Sequence, residues 1–564
     1  MPFSSGSTTR AFRARSIPLL TASTISFAVY TYHSQVIRND AETPLSYPTR
    51  KPLLPTIPIS PYTPLGWGSN RYMTLVPDSA VTILKKPSPL PHLGATPLRD
   101  LIIAEKYGAC VDARGDCWMW GVGYDPSGQL GRSLQGKKIR KLAPAPSKLY
   151  CLSTNGNLYV VSSSRSFQAH RLDRTDRSWY SRFWPFGTDP GVDYVQLKPQ
   201  GGLRRGEKWE HLSAGTHHLL AVTNKGRTFS LPISPAGNSH RQLGTRQIIH
   251  TPFPVPTFLS TSETSPDLPP EADPRFATTL TEIPSLTGVN IAQVVASDRT
   301  SFVRTTGGRV LGFGANELGQ VGLGSNAIVD TVQTPVEIVL ARNYPGGTQV
   351  KCLDVYAGGQ TTFFVVESTK PEKAPLIDLL ACGNGISGAL GNGLWSSAVG
   401  QPVRVKTVSG LQEFSEKANA FLPLAIHSIS VSSSPWAHAV AVLDTVSQAD
   451  EKGVKAGRYG KDVMVWGGNS DYQLGNGKRS SLAIPQHLPP LNSSSAEREG
   501  LLSTPESELN SGSLTHMPHF RLQLHQSKAD AYDLQGKLIK RKVKCEETVV
   551  AGYNASVLFN KIID

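Results

Sequence analysis

The stretch LGFGANELGQVGLG, residues 311–324, carries glycine at five of its fourteen positions. Glycine-rich loops can hold phosphate groups, but a Walker loop needs a lysine and then Ser or Thr after its last glycine. Here Leu323 and Ser325 follow the last two glycines. A dinucleotide-binding loop needs G-x-G-x-x-G between a strand and a helix, and Gly319 comes two residues too late for it. The glycines are better explained as turns in a repeated unit of short strands.

Related segments recur along the chain. The best matches are WGVGYDPSGQLG at 120–131 and VWGGNSDYQLGNG at 465–477, with a more degenerate ACGNGISGALGNG at 381–393. Weaker copies begin at Gly66, Leu158 and Thr228, which makes seven with the opening stretch. A second element, a turn of small residues before an apolar run, also recurs seven times, with copies that begin near residues 104, 144, 213, 296, 356, 432 and 550.

Each copy predicts a pair of strands. Short apolar runs bounded by turn residues indicate strands. The turns 224–226 (Asn-Lys-Gly) and 307–308 (Gly-Gly) separate two such runs and predict hairpins, because glycine tolerates the positive φ of a tight turn. The 51 glycines and 42 prolines of the 564-residue chain also favour turns and strands over helices.

Together the two elements resemble the repeat of the regulator of chromosome condensation (RCC) family, which reads roughly A-G-x-x-H-S, an apolar strand, a hairpin, W-G-x-N and G-Q-L-G. The resemblance spans about 66–559 and implies an all-β fold, a seven-bladed β-propeller. Because the first W-G strand lacks a partner before it and the last A-G strand lacks one after it, the chain ends are predicted to close the ring as one blade. The matching structural positions are Trp67, Gly68, Trp120, Gly121, Gly215, Gly312, Gly314, Gly319, Gly358, Gly383, Trp466, Gly467 and Gly552.

The amino-terminal region differs in composition from the repeats. Residues 1–39 contain four arginines and many Ser and Thr but no Asp or Glu, which is typical of a mitochondrial targeting segment, the alternative being a disordered basic tail. The uncharged residues 16–32 fit either a membrane anchor or the rest of that segment. A Pro-rich linker at 40–62 then precedes the propeller at 63–564, which we expect to carry insertions at about 162–208, 245–290 and 486–548.

The first insertion contains a cluster of aromatic residues. Clustered aromatics in a propeller insertion are typical of a docking surface for a partner or a membrane. The alternative is a segment folded back on the flank of the propeller. The predicted docking residues are Trp179, Tyr180, Phe183, Trp184 and Phe186.

The sequence contains no recognisable catalytic motif. His217-His218 and His438 occupy the H-S position of the repeat, and a residue that recurs in register with a repeat indicates a structural role. The six cysteines are scattered without metal-binding spacing, which predicts buried free thiols. We therefore predict a protein that is not an enzyme, with no catalytic, cofactor-binding or metal-binding residues.

The targeting segment and the propeller together resemble the fungal mitochondrial members of the RCC family, which are linked to respiratory-chain assembly, complex III in particular. The resemblance implies an interaction scaffold with protein partners at the inner membrane, associated through its amino-terminal segment. One alternative is guanine nucleotide exchange on a GTPase, the activity of the founding nuclear member. Another is binding to the mitochondrial ribosome or RNA. The formal charge of +14 and the basic runs 137–141 and 537–544 could contact RNA or anionic lipid. The lack of interleaved aromatics disfavours nucleic acid.

Overall fold

The computed structural model describes residues 60–169, 192–245, 269, 271–325, 329–371, 373–415, 418–445, 460–491 and 521–563. Apart from strands, these residues form a five-residue helix α1 (Arg165–Ala169) and short 3-10 turns at Pro91–Leu93, Pro284–Leu286 and Leu340–Asn343. None of the helices in these ranges is long and apolar enough to cross a membrane. The predicted targeting segment, with its candidate anchor at 16–32, lies outside the described residues.

The described strands form seven sheets, which we number as blades in chain order, and one separate two-stranded hairpin. Pairing within the blades is antiparallel except for one short parallel pair at the edge of blade 3. The described chain begins with β1 (Leu65–Ser69) and β2 (Ile83–Pro89). Blade 1 contains β3 (Asp100–Ile103), β4 (Gly108–Val111), β5 (Cys117–Trp120) and β6 (Gly131–Arg132). Blade 2 contains β7 (Ile139–Pro144), β8 (Lys148–Ser153), β9 (Leu158–Ser162) and β10 (Tyr194–Gln196). After β11 (Lys198–Pro199), blade 3 contains β12 (Trp209–Ala214), β13 (His218–Thr223), β14 (Thr228–Pro232) and β15 (Thr279–Glu282).

The second half of the chain continues the same pattern. Blade 4 contains β16 (Ile291–Ala296), β17 (Thr300–Thr305), β18 (Val310–Ala315) and β19 (Thr331–Glu337). Blade 5 contains β20 (Gln349–Gly358), β21 (Thr361–Thr369), β22 (Leu376–Gly383) and β23 (Val399–Arg404). After the hairpin of β24 (Gln412–Ser415) and β25 (Ala420–Pro423), blade 6 contains β26 (Ile426–Val431), β27 (His438–Leu443), β28 (Lys461–Gly467) and β29 (Leu482–His487). The last strands are β30 (Gln523–Leu524), β31 (Gln526–Tyr532), β32 (Leu538–Ala551) and β33 (Ala555–Ile562).

Blade 7 closes the ring from both ends of the chain. Its strand order is β2-β1-β33-β32, extended by β31, and β1 pairs antiparallel with β33 so that Trp67 lies opposite Ser556. The first strand of each blade contacts the first strand of the next, from β3 round to β32 and back to β3. These contacts confirm the seven-bladed β-propeller and the closure by amino- and carboxy-terminal strands.

The apolar core lies between consecutive blades. The middle strands are buried on both faces; β13 and β27, for example, expose no side chain to solvent. One cluster joins blades 1 and 2 through Val111 and Val161, and another joins blades 5 and 6 through Phe363 and Ala441. Each blade therefore covers the apolar face of its neighbour, which is why an incomplete ring would expose two apolar surfaces.

The two repeated sequence elements map onto the same place in every blade. All seven W-G copies fall on third strands, and all seven small-residue turns precede second strands. The hairpins expected at 224–226 and 307–308 lie between β13 and β14 and between β17 and β18.

Blade strands also lie inside the three stretches that we expected to be insertions. β10 and β15 are the outer strands of blades 2 and 3, and the start of β32 lies before residue 548. β10 and β15 have only three and four residues, and β15 buries a single side chain, Leu280, so neither carries an apolar pattern long enough for sequence reasoning to detect.

The ring has two ends, which we name by their connections. At the upper face lie the turns from first to second strands and the loops from third to fourth strands. At the lower face lie the hairpin turns from second to third strands and the links from one blade to the next. Residues 170–191, which contain the predicted docking aromatics, lie outside the described residues.

Candidate protein-binding site at the ring closure

The three tryptophans of the W-G motif connect blades 7, 1 and 6 to the blades before them. All three are fully buried, and each indole Nε1 donates a hydrogen bond to a backbone carbonyl in the upper loop of the preceding blade. The acceptor always lies directly before a leucine of that loop. The bonds run from Trp67 to Gln473 at 2.9 Å, from Trp120 to Thr74 at 2.7 Å and from Trp466 to Ala389 at 2.8 Å.

The repeat histidines also join blades. Ser301 Oγ donates to the Gln242 carbonyl at 2.6 Å, so His218 Nε2 is the donor in its 2.7 Å bond to the same hydroxyl. His438 makes the equivalent contact with Ser556 at 2.9 Å. Burial lowers the pKa of both histidines to about 3, which keeps them neutral. Both histidines therefore have a structural role, because each forms a hydrogen bond that links one blade to the next.

The predicted structural glycines lie where the chain turns or where blades approach closely. At Gly314 φ is +104°, and a Cβ there would lie 2.5 Å from the Arg299 carbonyl oxygen. Gly68, Gly121, Gly383 and Gly467 repeat this left-handed conformation, with φ between +93° and +108°. The remaining glycines leave too little room for a Cβ: Gly215 faces Ser297, Gly312 faces Val321, Gly319 faces Gly400, Gly358 faces Ser432 and Gly552 faces Ile103.

A cleft of about 270 Å³ opens on the upper face where the ring closes. It lies over blades 6, 7 and 1, and both ends of the chain contribute to it. A volume slightly below that of drug-sized ligand pockets fits a single large side chain. The residues that line the cleft are Ser69, Arg71, Tyr72, Thr74, Glu105, Ser434, Pro435, Trp436, Asp471, Tyr553 and Asn554.

The cleft combines exposed aromatic rings with a carboxylate that has no partner. Trp436 is 54% exposed and Tyr72 is 38% exposed. Asp471 is satisfied, because Arg71 donates to it at 3.1 Å and the Asn554 amide donates at 3.2 Å. Glu105, in contrast, makes no hydrogen bond or ion pair with any residue that the structure describes. Aromatic faces beside a free carboxylate are the surroundings that bind a cationic side chain.

A larger, polar cleft of about 550 Å³ lies at the lower face between blades 3 and 4. Glu210, His211, Lys225, Asn290 and Thr306 are among its lining residues. Burial lowers the pKa of His211. Lys225 Nζ donates to the Arg205 carbonyl at 3.0 Å, and the lining thus holds one lysine and one glutamate, Glu210.

A buried ionic cluster joins blades 6 and 7 near the lower face. The Lys461 ammonium contacts the Glu546 carboxylate, and His427 contacts Glu546 at 2.7 Å and Asp444 at 3.4 Å. The hydrogen bonds to Asp444 and Glu546 raise the pKa of His427 to about 9. Burial alone would raise the pKa of Glu546, but the bonds from His427 and Lys461 lower it to about 2.

Other candidate chemistry is sparse in the described part of the chain. All six cysteines are buried and free, as the sequence predicts. The described residues contain no cluster of three or more potential metal ligands. Sequence reasoning missed the upper cleft. Its visible signal is Trp436, a tryptophan in one of the turns from first to second strands.

Comparison with known proteins agrees with this architecture. The family model for the regulator of chromosome condensation (RCC1) repeat matches residues 307–365, which run from the hairpin of blade 4 into β21. Blades 4 and 5 therefore carry a stretch that is recognisably similar to the RCC1 repeat.

Three curated relatives match over long segments. Protein FMP25, mitochondrial, of Saccharomyces cerevisiae is 24% identical over 420 residues, which cover 72% of this chain and 63% of FMP25. Protein pim1 of Schizosaccharomyces pombe is 23% identical over 43% of this chain and 39% of pim1. The ultraviolet-B receptor UVR8 of Arabidopsis thaliana is 22% identical over 54% of this chain and 58% of the receptor. The matches therefore span 39% to 63% of the relatives' own lengths.

Two solved structures share the fold. Prp20p of Saccharomyces cerevisiae, known for its binding properties to Gsp1p and histones, superposes with a TM-score of 0.52 at 14% identity, over 90% of this chain and 93% of Prp20p. Human WBSCR16 superposes with a TM-score of 0.52 at 15% identity, over 89% of this chain and all of that structure. At such identities the likeness establishes the fold alone.

Proposed function

We propose that this RCC1-type propeller is a non-enzymatic mitochondrial scaffold that supports assembly or maintenance of the respiratory chain, complex III in particular, at the inner membrane. The acid-free, arginine-containing residues 1–39 and the mitochondrial relative FMP25 support the location. The resemblance to fungal mitochondrial RCC proteins supports the link to respiratory complexes.

The upper cleft is the observation that carries the scaffold function. It holds exposed aromatic rings and the free Glu105 carboxylate but no nucleophile paired with a base. We propose that a basic side chain of a partner protein enters the cleft, with Trp436 and Tyr72 against its aliphatic part and Glu105 against its charge. The aromatics Trp179, Tyr180, Phe183, Trp184 and Phe186 remain a second proposed docking surface.

Affinity purification of the tagged full chain from gently solubilised mitochondria, followed by mass spectrometry, tests this function. We expect complex III subunits or assembly intermediates to be recovered with the wild type and to be depleted with Trp436→Ala. Trp395→Ala is the matched control, because Trp395 is a 56% exposed tryptophan in the upper loop of blade 5, outside the cleft.

The result would discriminate between the candidate functions. Recovery of a GTPase that is released by added GTP would instead make the protein an exchange factor. Recovery of mitochondrial ribosomal subunits would favour the RNA-associated alternative. Equal recovery of respiratory subunits with Trp436→Ala and Trp395→Ala would exclude the cleft as their binding site.

A further inference from the structure

The hairpin formed by β31 and β32 carries a dense basic surface at the lower face. Ala531 and Val543 fix it to the propeller by packing with Ala113 and Ile562. The Thr96 hydroxyl also donates a hydrogen bond to the Tyr532 carbonyl and accepts one from the Tyr532 N–H. Six of the hairpin's solvent-facing side chains are basic: Lys528, Lys537, Lys540, Arg541, Lys542 and Lys544. Only one exposed carboxylate, Asp530, accompanies them in this described hairpin.

The basic character extends round the lower end of the ring. Exposed basic side chains lie in the lower turns and links of blades 1 to 5, among them Arg114, Lys138, Arg204, Lys225, Arg309 and Lys370. The carboxylates Asp112, Asp116 and Glu207 of the same connections are buried, whereas Glu337 is exposed beside Arg309. Exposed basic side chains therefore lie at the lower end of blades 1 to 5 and of blade 7.

Exposed apolar side chains accompany these charges. The hairpin of β24 and β25 leaves the lower face between blades 5 and 6 and exposes Phe414 and Phe421, whose rings stack edge to face at 5.5 Å. In the basic hairpin, Tyr532 and Ile539 are also exposed. Aromatic and aliphatic side chains among lysines are typical of surfaces that enter the headgroup region of a bilayer.

We propose that the lower face docks on an anionic membrane surface, with the β31–β32 hairpin as its electrostatic contact and Phe414 and Phe421 as its apolar contact. Charges spread round the end of a disc can all meet a plane, whereas a nucleic-acid strand would meet only those along one line. A membrane can also accommodate the exposed apolar side chains. Single-stranded RNA would instead need aromatic side chains interleaved with the basic residues, so that its bases could stack on them.

Membrane docking in this orientation has a consequence for the scaffold. The upper cleft lies at the opposite end of the ring and would face away from the bilayer. Protein binding and lipid binding would then use different faces and could occur together. The lipid contact is also independent of the partner's identity, so failure of one proposal leaves the other testable.

Flotation of the full chain with vesicles tests the docking face. We expect binding to vesicles of phosphatidylcholine with cardiolipin or phosphatidylserine, weak binding to phosphatidylcholine alone, and loss of the difference at high salt. Replacing Lys537, Lys540 and Arg541 by Glu should weaken binding to anionic vesicles on the order of a hundredfold. The matched control replaces Lys106, Lys478 and Arg479, three exposed basic residues of the upper face, by Glu.

A second pair of variants tests the apolar contact and helps to distinguish membrane binding from RNA binding. Phe414→Ser with Phe421→Ser should weaken vesicle binding, while Trp395→Ser on the upper face should not. Equal vesicle binding by the lower-face and upper-face charge variants would overturn the proposal, provided that both retain the wild-type thermal midpoint. So would a lower-face variant that loses binding to poly-U RNA but keeps its binding to anionic vesicles. Wild-type vesicle binding that does not weaken at high salt would also overturn the proposal.

Discussion

The glycine of the W-G motif offers a sharp test of how the blades are built. At Gly314 the backbone has φ +104°, and a Cβ would lie 2.5 Å from the Arg299 carbonyl oxygen and 3.0 Å from Thr300 Cα. Gly314→Ala therefore adds backbone strain of about 1–3 kcal/mol and overpacking of about 1–3 kcal/mol. We expect the free energy of unfolding to fall by about 2–6 kcal/mol in total.

Gly307→Ala in the neighbouring hairpin is the matched control. Gly307 does not adopt a positive φ, and the nearest atom to an added Cβ is Thr305 Oγ1 at 3.9 Å. Alanine there should change stability by no more than about 0.5 kcal/mol.

Urea unfolding followed by tryptophan fluorescence measures both variants, because Trp67, Trp120 and Trp466 are fully buried probes at three blade interfaces. A Gly314→Ala protein that unfolds at the same urea concentration as Gly307→Ala would refute the steric reasoning. It would mean that the loop of Arg299 moves aside at little cost.

Two further predictions concern the contacts between blades. Trp466→Phe should lower the free energy of unfolding by about 2–4 kcal/mol, since it leaves the buried Ala389 carbonyl without its donor and removes packing volume; unchanged urea unfolding would contradict this. The raised pKa of His427 predicts a pH dependence. Protonated His427 stabilises the folded protein fully below its unfolded pKa of about 6.5, and this contribution is lost as pH rises through about 9. The charged groups that face it are Lys461, Asp444 and Glu546. Thermal midpoints measured across that interval should fall more steeply for the wild type than for His427→Gln, and parallel curves would exclude the histidine as the cause.

The repeat could be predicted from sequence because its signals are local. Gly314 and Trp466 each stand in a short motif whose spacing recurs, so one clear copy made the weaker ones recognisable. The closing blade followed from the order of half-repeats at the two chain ends. The outer strands β10 and β15 could not be found in this way, because they are short and their place depends on pairing with β9 and β14.

The upper cleft could not be predicted because it is a property of the closed ring. Glu105 and Trp436 are separated by more than three hundred positions, and nothing in the sequence of their two turns shows that they meet. The basic run 537–544 was visible in the sequence, but its position on the surface of the propeller was not. Only the structure fixes it to a rigid hairpin at the same end of the ring as Phe414 and Phe421.

Closure of the ring and formation of the upper cleft are the same event. Tyr72 and Glu105 come from the amino-terminal side of the closure, and Trp436 and Asp471 come from the carboxy-terminal side. The ion pair from Arg71 to Asp471 spans the join directly. A partner that binds only the assembled cleft must therefore stabilise the closed ring, by about 2.7 kcal/mol at a hundred times its dissociation constant. By the same linkage, any change that opens blade 7 weakens the partner's binding, even when it leaves every residue of the cleft in place.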